Sequence, residues 1–210
     1  MSRTPSIVVA AIVAIVAIAS GMLLARSILG GGGSTQLGLA RATLLEPARP
    51  LPDFTLVDQD GAQFGPQRVK NQWTLLFFGF THCPDVCPTT LGMLAQTEKQ
   101  LADLPEARRP HVVLVSVDPK RDTPQQLASY VKFFSPSFTG VTGSQESIDD
   151  FTRALGVPVG ISPTSNGGYN VDHSAAIFLI DPNGAMRALF STPHESQVIA
   201  ADYRRIVTAD

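Results

Sequence analysis

Hydrophobic and polar positions follow different rhythms along this chain. From Ile7 to Ala25 there is no alternation at all: IVVAAIVAIVAIASGMLLA holds no charged residue. Coiled as a helix, that run rises roughly 28 Å at ~1.5 Å per residue, about the thickness of a bilayer's hydrocarbon core. It is expected to be an uncleaved transmembrane anchor. A cleaved signal peptide is the rival, but the apolar region of such a peptide is typically about 7–15 residues. ILGGGGSTQLG follows. Four consecutive glycines neither pack nor sustain a regular element, so residues 26–50 read as a flexible linker.

Beyond Pro52 the periods alternate between those of strands and helices. FTLVDQDGAQFG (Phe54–Gly65) predicts a hairpin turning at Asp60-Gly61. WTLLFFGF (73–80) and HVVLVSVD (111–118) are nearly unbroken apolar runs, the pattern of strands buried on both faces. Between them Pro88 suits the first turn of a helix, and Leu91, Leu94, Leu101 and Leu104 supply its apolar stripe. Thr123-Pro124-Gln125-Gln126 has the form of a capping box and opens a helix to about Phe134. A short strand near Phe138–Val141 comes next, then a helix capped by Ser144 and ending near Gly156. Val157–Tyr169 predicts a protruding hairpin with Asn166-Gly167 at its tip. SAAIFLID and MRALFST flank a turn at Asp181–Gly184. Thr192-Pro193-His194-Glu195 reads as a second capping box, opening a terminal helix to about Thr208. The sum is an α/β domain over residues 51–210: a central mixed sheet with helices on both faces.

Charge narrows the partners. Residues 1–50 carry four Arg and one Glu; from residue 51 onward there are 12 Lys and Arg against 17 Asp and Glu. A mildly acidic domain argues against nucleic acid, whose phosphates need clustered basic side chains. Residues 1–6 are too few to fold and leave no room for an Arg-rich organelle presequence. They are expected to form a cytoplasmic head, with the domain translocated. That places the chain as a single-pass protein of a bacterial inner membrane with its domain in the periplasm.

The chemistry concentrates in FFGFTHCPDVCPTTL (Phe77–Leu91), which holds both cysteines of the chain, Cys83 and Cys87. They sit where a central strand meets its following helix, the usual ligand position in open α/β sheets. Residues i and i+4 on a helix face the same way, with Cβ atoms about 5–6 Å apart. That spacing admits a disulfide or joint coordination of one metal ion. A helix N-terminus favours thiolate, which is both the nucleophile and the metal ligand. Dithiol reductases carry two residues between their cysteines, C-x-x-C; this pair has three. A metal would want a third ligand, and His82, His111, His173 and His194 are the candidates. His82 adjoins Cys83, but adjacent side chains diverge. His111 opens a strand after a charged loop. His194 lies in a capping box, where a solvated imidazole is the bland reading. His173 enters a core strand from the end of the hairpin; taken alone, it reads as structural more readily than as a ligand. Asp118 and Asp122, in VSVDPKRDTP, follow the second buried strand on the edge that carries the cysteines. They read as turn and cap residues, or as partners of a metal site. Asp172 is either an orienter of His173 or an exposed turn carboxylate.

FFGFTHCPDVCPTTL, VSVDPKRDTP and YNVDHSAAIFLIDPNG, in this order behind one N-terminal anchor, resemble the Sco/SenC family of copper-delivery proteins. The resemblance covers about residues 50–208. It implies a thioredoxin-like fold with an inserted β-hairpin, and one copper ion held by Cys83, Cys87 and His173. It also implies a protein that assists assembly of the dinuclear copper centre of cytochrome c oxidase subunit II; the chain itself is expected to be monomeric. Two thiolates and an imidazole are soft to borderline donors suited to Cu(I), whereas a structural zinc site would close four protein ligands. The hairpin Val157–Tyr169 lacks the acidic residues that relatives often carry there, which leaves the recipient open between subunit II and another copper acceptor. Two alternatives to a metallochaperone remain. One is a thiol–disulfide oxidoreductase using Cys83 and Cys87 as a redox pair, which needs no histidine. The other, weaker, is a peroxidase.

Overall fold

The computed structural model describes residues 37–164 and 167–209. The expected head, the anchor at 7–25 and most of the Gly-rich tether lie outside the described residues. Among those that are described, no helix is long and apolar enough to cross a membrane.

The body is built around β4 (Trp73–Gly79), all seven of whose residues are buried. Its neighbours explain that burial. β5 (Pro110–Ser116) pairs with it in parallel and β9 (Ile177–Ile180) antiparallel. The full sheet runs β1-β10-β9-β4-β5-β6-β2-β3. Here β1 is Ala42–Pro50, β2 Leu56–Asp58, β3 Gln63–Phe64, β6 Thr139–Thr142 and β10 Ala185–Phe190. Side chains alternate across β4. Phe78 meets Phe151 of α3 (Gln145–Leu155) on one face, with ring centroids 5.8 Å apart. On the other, a β-carbon at Gly79 would lie 3.0 Å from Phe77 and 3.1 Å from Cys87 of α1 (Val86–Gln100). α1 packs against α4 (Ser196–Ala209). This is the mixed α/β arrangement expected from the sequence, and the thioredoxin-like fold that the resemblance implies.

Local signals produce most of the elements. α2 (Pro124–Phe134) opens with the capping box: Gln126 N donates to Thr123 Oγ1 and the Gln126 side chain accepts from Thr123 N. α3 is capped by Ser144 and closed by Gly156 at φ 71°, a left-handed position that glycine adopts without strain. The Asp60-Gly61 turn is held by Asp58, whose carboxylate accepts from the amides of Asp60 and Ala62.

Two expectations need correction. Residues 42–50 are not linker: they form edge strand β1, paired antiparallel with β10. The entering chain is clamped by Asp202, fully buried on α4, whose carboxylate accepts from the amides of Ala40, Arg41 and Ala42. The terminal helix begins at Ser196, after Thr192–Glu195 rather than within it. His194 is drawn into a tertiary hydrogen bond instead.

The inserted hairpin forms a separate two-stranded sheet, β7 (Val159–Pro163) and β8 (Tyr169–His173), with Val159 opposite His173. Its tip residue Asn166 lies outside the described residues. Because β9 runs antiparallel to β4, the link 174–176 that leads into it arrives at the edge where β4 ends.

Candidate metal centre

Three side chains converge at that edge. Cys83 lies in the loop after β4 and Cys87 in the first turn of α1, while His173 closes β8. The two Sγ atoms and a ring nitrogen of His173 all lie within 4.8 Å of one another. His173 Nε2 is 3.4 Å from Cys87 Sγ. Nδ1 of the same ring donates to the Ser174 carbonyl at 2.9 Å, which assigns the proton to Nδ1 and leaves Nε2 as the free lone pair. Phe77 and Phe80 meet the imidazole edge-to-face, at 6.1 and 5.9 Å. Both cysteines are free thiols. Cys83 Sγ accepts the amide of Cys87 at 3.3 Å.

The electrostatics contradict one expectation. A helix N-terminus should depress the thiol pKa, yet Cys87 is pushed well above the ordinary thiol range. Burial is the main cause, helped by the hydrogen bond with Cys83; the Phe80 amide opposes both and loses. Burial likewise lowers His173, against smaller upward pulls from its Ser174 bond and Asp172. Without metal the pair is therefore neutral, S–H against a bare imidazole nitrogen. It is not the thiolate–imidazolium couple of a nucleophilic cysteine. A cavity of about 340 Å³, lined by Phe80, Cys83, Pro84, Val86 and His173 among others, opens onto the cluster. Cys83 is 9% exposed at this mouth and Cys87 is fully enclosed behind it.

A family model described as SCO1/SenC matches residues 43–208. This chain belongs to the SCO1/SenC family. A Stutzerimonas stutzeri protein, described as a candidate copper-binding protein, is 38% identical over 159 residues, covering 75% of this chain and 76% of that one. The mitochondrial SCO2 homologue of Bos taurus is 38% identical over 158 residues, 75% of this chain, and the match spans only 59% of the bovine protein's length. Among solved structures, copper-bound ScoI of Arabidopsis thaliana superposes with a TM-score of 0.70 at 33% identity, covering 75% of this chain and 98% of that one. Copper-bound ScoI of Bradyrhizobium japonicum gives 0.67 at 34%, covering 75% and 99%.

The donor set of this SCO1/SenC chain fits a soft monovalent metal. Two sulfurs and one imidazole nitrogen converge, and the cluster contains no fourth Asp, Glu, His or Cys among the described residues. The other histidines stand apart. His82 is exposed, with Nδ1 3.0 Å from Thr81 Oγ1. His111 is exposed at the opposite end of the sheet, at the start of β5. His194 is not a solvated cap residue: its Nε2 lies 2.7 Å from the Ala175 carbonyl.

Asp118 and Asp122 prove to be more than cap residues. Asp122, fully buried, accepts from Thr81 N at 2.9 Å, Thr81 Oγ1 at 2.6 Å and Ser116 Oγ at 2.7 Å. It thereby fastens the cysteine loop to the end of β5. Asp118 accepts from Tyr169 OH at 2.8 Å and pairs with Arg121, whose guanidinium carbon lies 3.9 Å from the Tyr169 ring centroid. That cluster fastens the hairpin. Asp172 does not orient His173; it is exposed and accepts from Ser162 Oγ across the hairpin at 3.0 Å. Thr81, Arg121, Tyr169 and Gly79 carry no chemistry that a sequence reading flags. Only their place inside the three motifs hints at a role.

Proposed function

We propose that this SCO1/SenC protein is a copper chaperone, tethered by residues 7–25 to a bacterial inner membrane with its domain in the periplasm. Cys83, Cys87 and His173 hold one copper ion, which the protein delivers to the dinuclear site of cytochrome c oxidase subunit II. The observation that carries this reading is the convergence of two thiol sulfurs and one imidazole nitrogen within 4.8 Å at an open cavity. The copper-bound state of similar solved structures supports the choice of metal.

The residues divide the work. Loading displaces the thiol protons, and the raised pKa of Cys87 makes that displacement pH-dependent. His173, already neutral, contributes Nε2 without losing a proton. Three protein donors leave room for an incoming thiol of the recipient. His173 is the first ligand to leave, because it stands on the separate hairpin while both sulfurs belong to the central β4–α1 unit. Cys83 at the mouth follows, and Cys87 last.

The test is an anaerobic Cu(I) titration of the reduced full-length protein against a competing chelator, alongside His173→Ala. One tight equivalent, clearly weakened by the substitution, is expected. Equal affinity in both proteins contradicts the ligand set.

A second reading draws on the arrangement of the pair, with Cys83 lining the mouth of the cavity and Cys87 one turn behind it. It is thiol–disulfide exchange that reduces the recipient's cysteines before metal insertion. Its signature is reductase activity that His173→Ala leaves intact.

A further inference from the structure

His194 stands just before α4, with its ring partly withdrawn from solvent. Its Nε2 is 2.7 Å from the Ala175 carbonyl oxygen. A carbonyl only accepts, so Nε2 carries the proton. Nδ1 is buried and meets no partner among the described residues. The ring's hydrogen bond therefore goes to the main chain two residues past His173.

His173 uses the adjacent carbonyl, donating from Nδ1 to Ser174 O at 2.9 Å. Two successive carbonyls of the irregular link between β8 and β9 are thus each held by an imidazole N–H. The first bond sets the tautomer of His173 and leaves Nε2 facing Cys87. It persists only while the Ser174 carbonyl points back at the ring. Peptide groups are planar, so that orientation is governed by the dihedrals of Ser174 and Ala175. The Ala175 carbonyl is pinned by His194, from the segment that leads into α4. Within the link, Ala176 N donates to Ser174 Oγ at 3.2 Å, which tightens the turn without reaching the body of the domain.

We infer that His194 is a positioning residue for the metal centre: it fixes the Ala175 carbonyl, keeps the Ser174 carbonyl against His173 Nδ1, and so presents His173 Nε2 to the two thiols. This rests on the ligand set proposed above. It adds a partner, just ahead of the terminal helix, that belongs to no ligand set itself.

The test uses the full-length reduced protein, His194→Ala and His194→Gln; the glutamine side-chain amide can donate to the same carbonyl. Long-range proton–nitrogen spectra of the metal-free wild type should show His194 protonated at Nε2 and His173 at Nδ1. In His194→Ala the His173 ring should populate both tautomers, and Cu(I) affinity should fall toward the lower end of the roughly 10–100-fold range typical of outer-shell partners. His194→Gln should restore both. Thermal unfolding of each variant separates a folding defect from a positioning one. An Nδ1–H tautomer for His194 in the wild type overturns the inference without any variant. So does a His194→Ala protein with wild-type tautomer and affinity, whatever its melting temperature. Affinity that is indifferent to His173→Ala fails the ligand set itself, whereas loss with His173→Ala and none with His194→Ala fails only the role of His194.

Discussion

The two halves of the proposed metal centre are held in different ways. The cysteine half is continuous with the core: β4 is buried throughout, Cys87 is fully enclosed, and the loop between them is tied down by two hydrogen bonds from Thr81 to a buried carboxylate, Asp122, which also accepts from Ser116 of β5. The histidine half hangs on a separate two-stranded sheet. It is fastened by side chains: Tyr169 to Asp118, Arg121 over the Tyr169 ring, and His194 to the link behind it. Core packing and a buried network hold positions rigidly, whereas a few partly exposed hydrogen bonds hold them loosely. The proposed carrier role calls for both, with two donors that retain the metal and one that yields.

That contrast can be broken first at its rigid side. Asp122→Ala leaves the Thr81 amide and the Ser116 hydroxyl without their acceptor. Bonds to a charged group contribute roughly 1.5–3 kcal/mol each, so a loss of about 3 kcal/mol is expected in denaturant unfolding, with copper affinity falling in parallel. Wild-type stability would mean that the cysteine loop is held by something else. Gly79→Ala comes next. Its β-carbon would lie 3.1 Å from Cys87 Sγ and 3.0 Å from Phe77. Overpacking of this kind costs about 1–3 kcal/mol, and here it displaces a proposed ligand, so affinity should drop more than stability alone implies. An alanine variant with unchanged copper binding would show that the sulfur has room to move.

The loose side should respond oppositely. Tyr169→Phe removes one partly exposed hydrogen bond, worth ~1 kcal/mol. Stopped-flow transfer of copper to a dithiol chelator should nevertheless become faster, since the hairpin carrying His173 loosens. Slower or unchanged transfer would deny that the hairpin gates release. The smallest effect is on pH. Folded Cys87 keeps its proton at a pH where the unfolded thiol has lost it. The unfolded chain therefore binds fewer protons in that window, and stability of the metal-free protein should decline as pH rises past the ordinary thiol range. Cys87→Ser should flatten this decline; an equal decline in the variant would assign it to other groups.

Much of this was legible from residues alone, where the signal is local. Thr123 and Gln126, Ser144 and Gly156, and Asp60-Gly61 each act within four residues of themselves, and the structure places each as read. The motif residues Cys83, Cys87 and His173 meet as the resemblance implied. The misses were tertiary. β1 carries two prolines, an edge strand whose pattern alternates too weakly to stand out from a linker. Glu195 and Thr192 offered a capping box, but His194 is captured by Ala175 and the helix starts later. The helix N-terminus argued for a thiolate at Cys87, and burial, invisible before the strand is packed, outweighs it. Asp118 and Asp122 look alike in sequence, yet one fastens the hairpin and the other the cysteine loop, a division decided by residues 41 and 51 positions away.

The central claim is that the loosely held half supplies a ligand to the rigid one. X-ray absorption of the Cu(I)-loaded full-length protein, compared with His173→Ala, tests it most directly. The expected result is two sulfur scatterers and one nitrogen scatterer in the wild type, with the nitrogen lost in the variant. Two sulfurs alone in the wild type, or a nitrogen that survives the substitution, would contradict it.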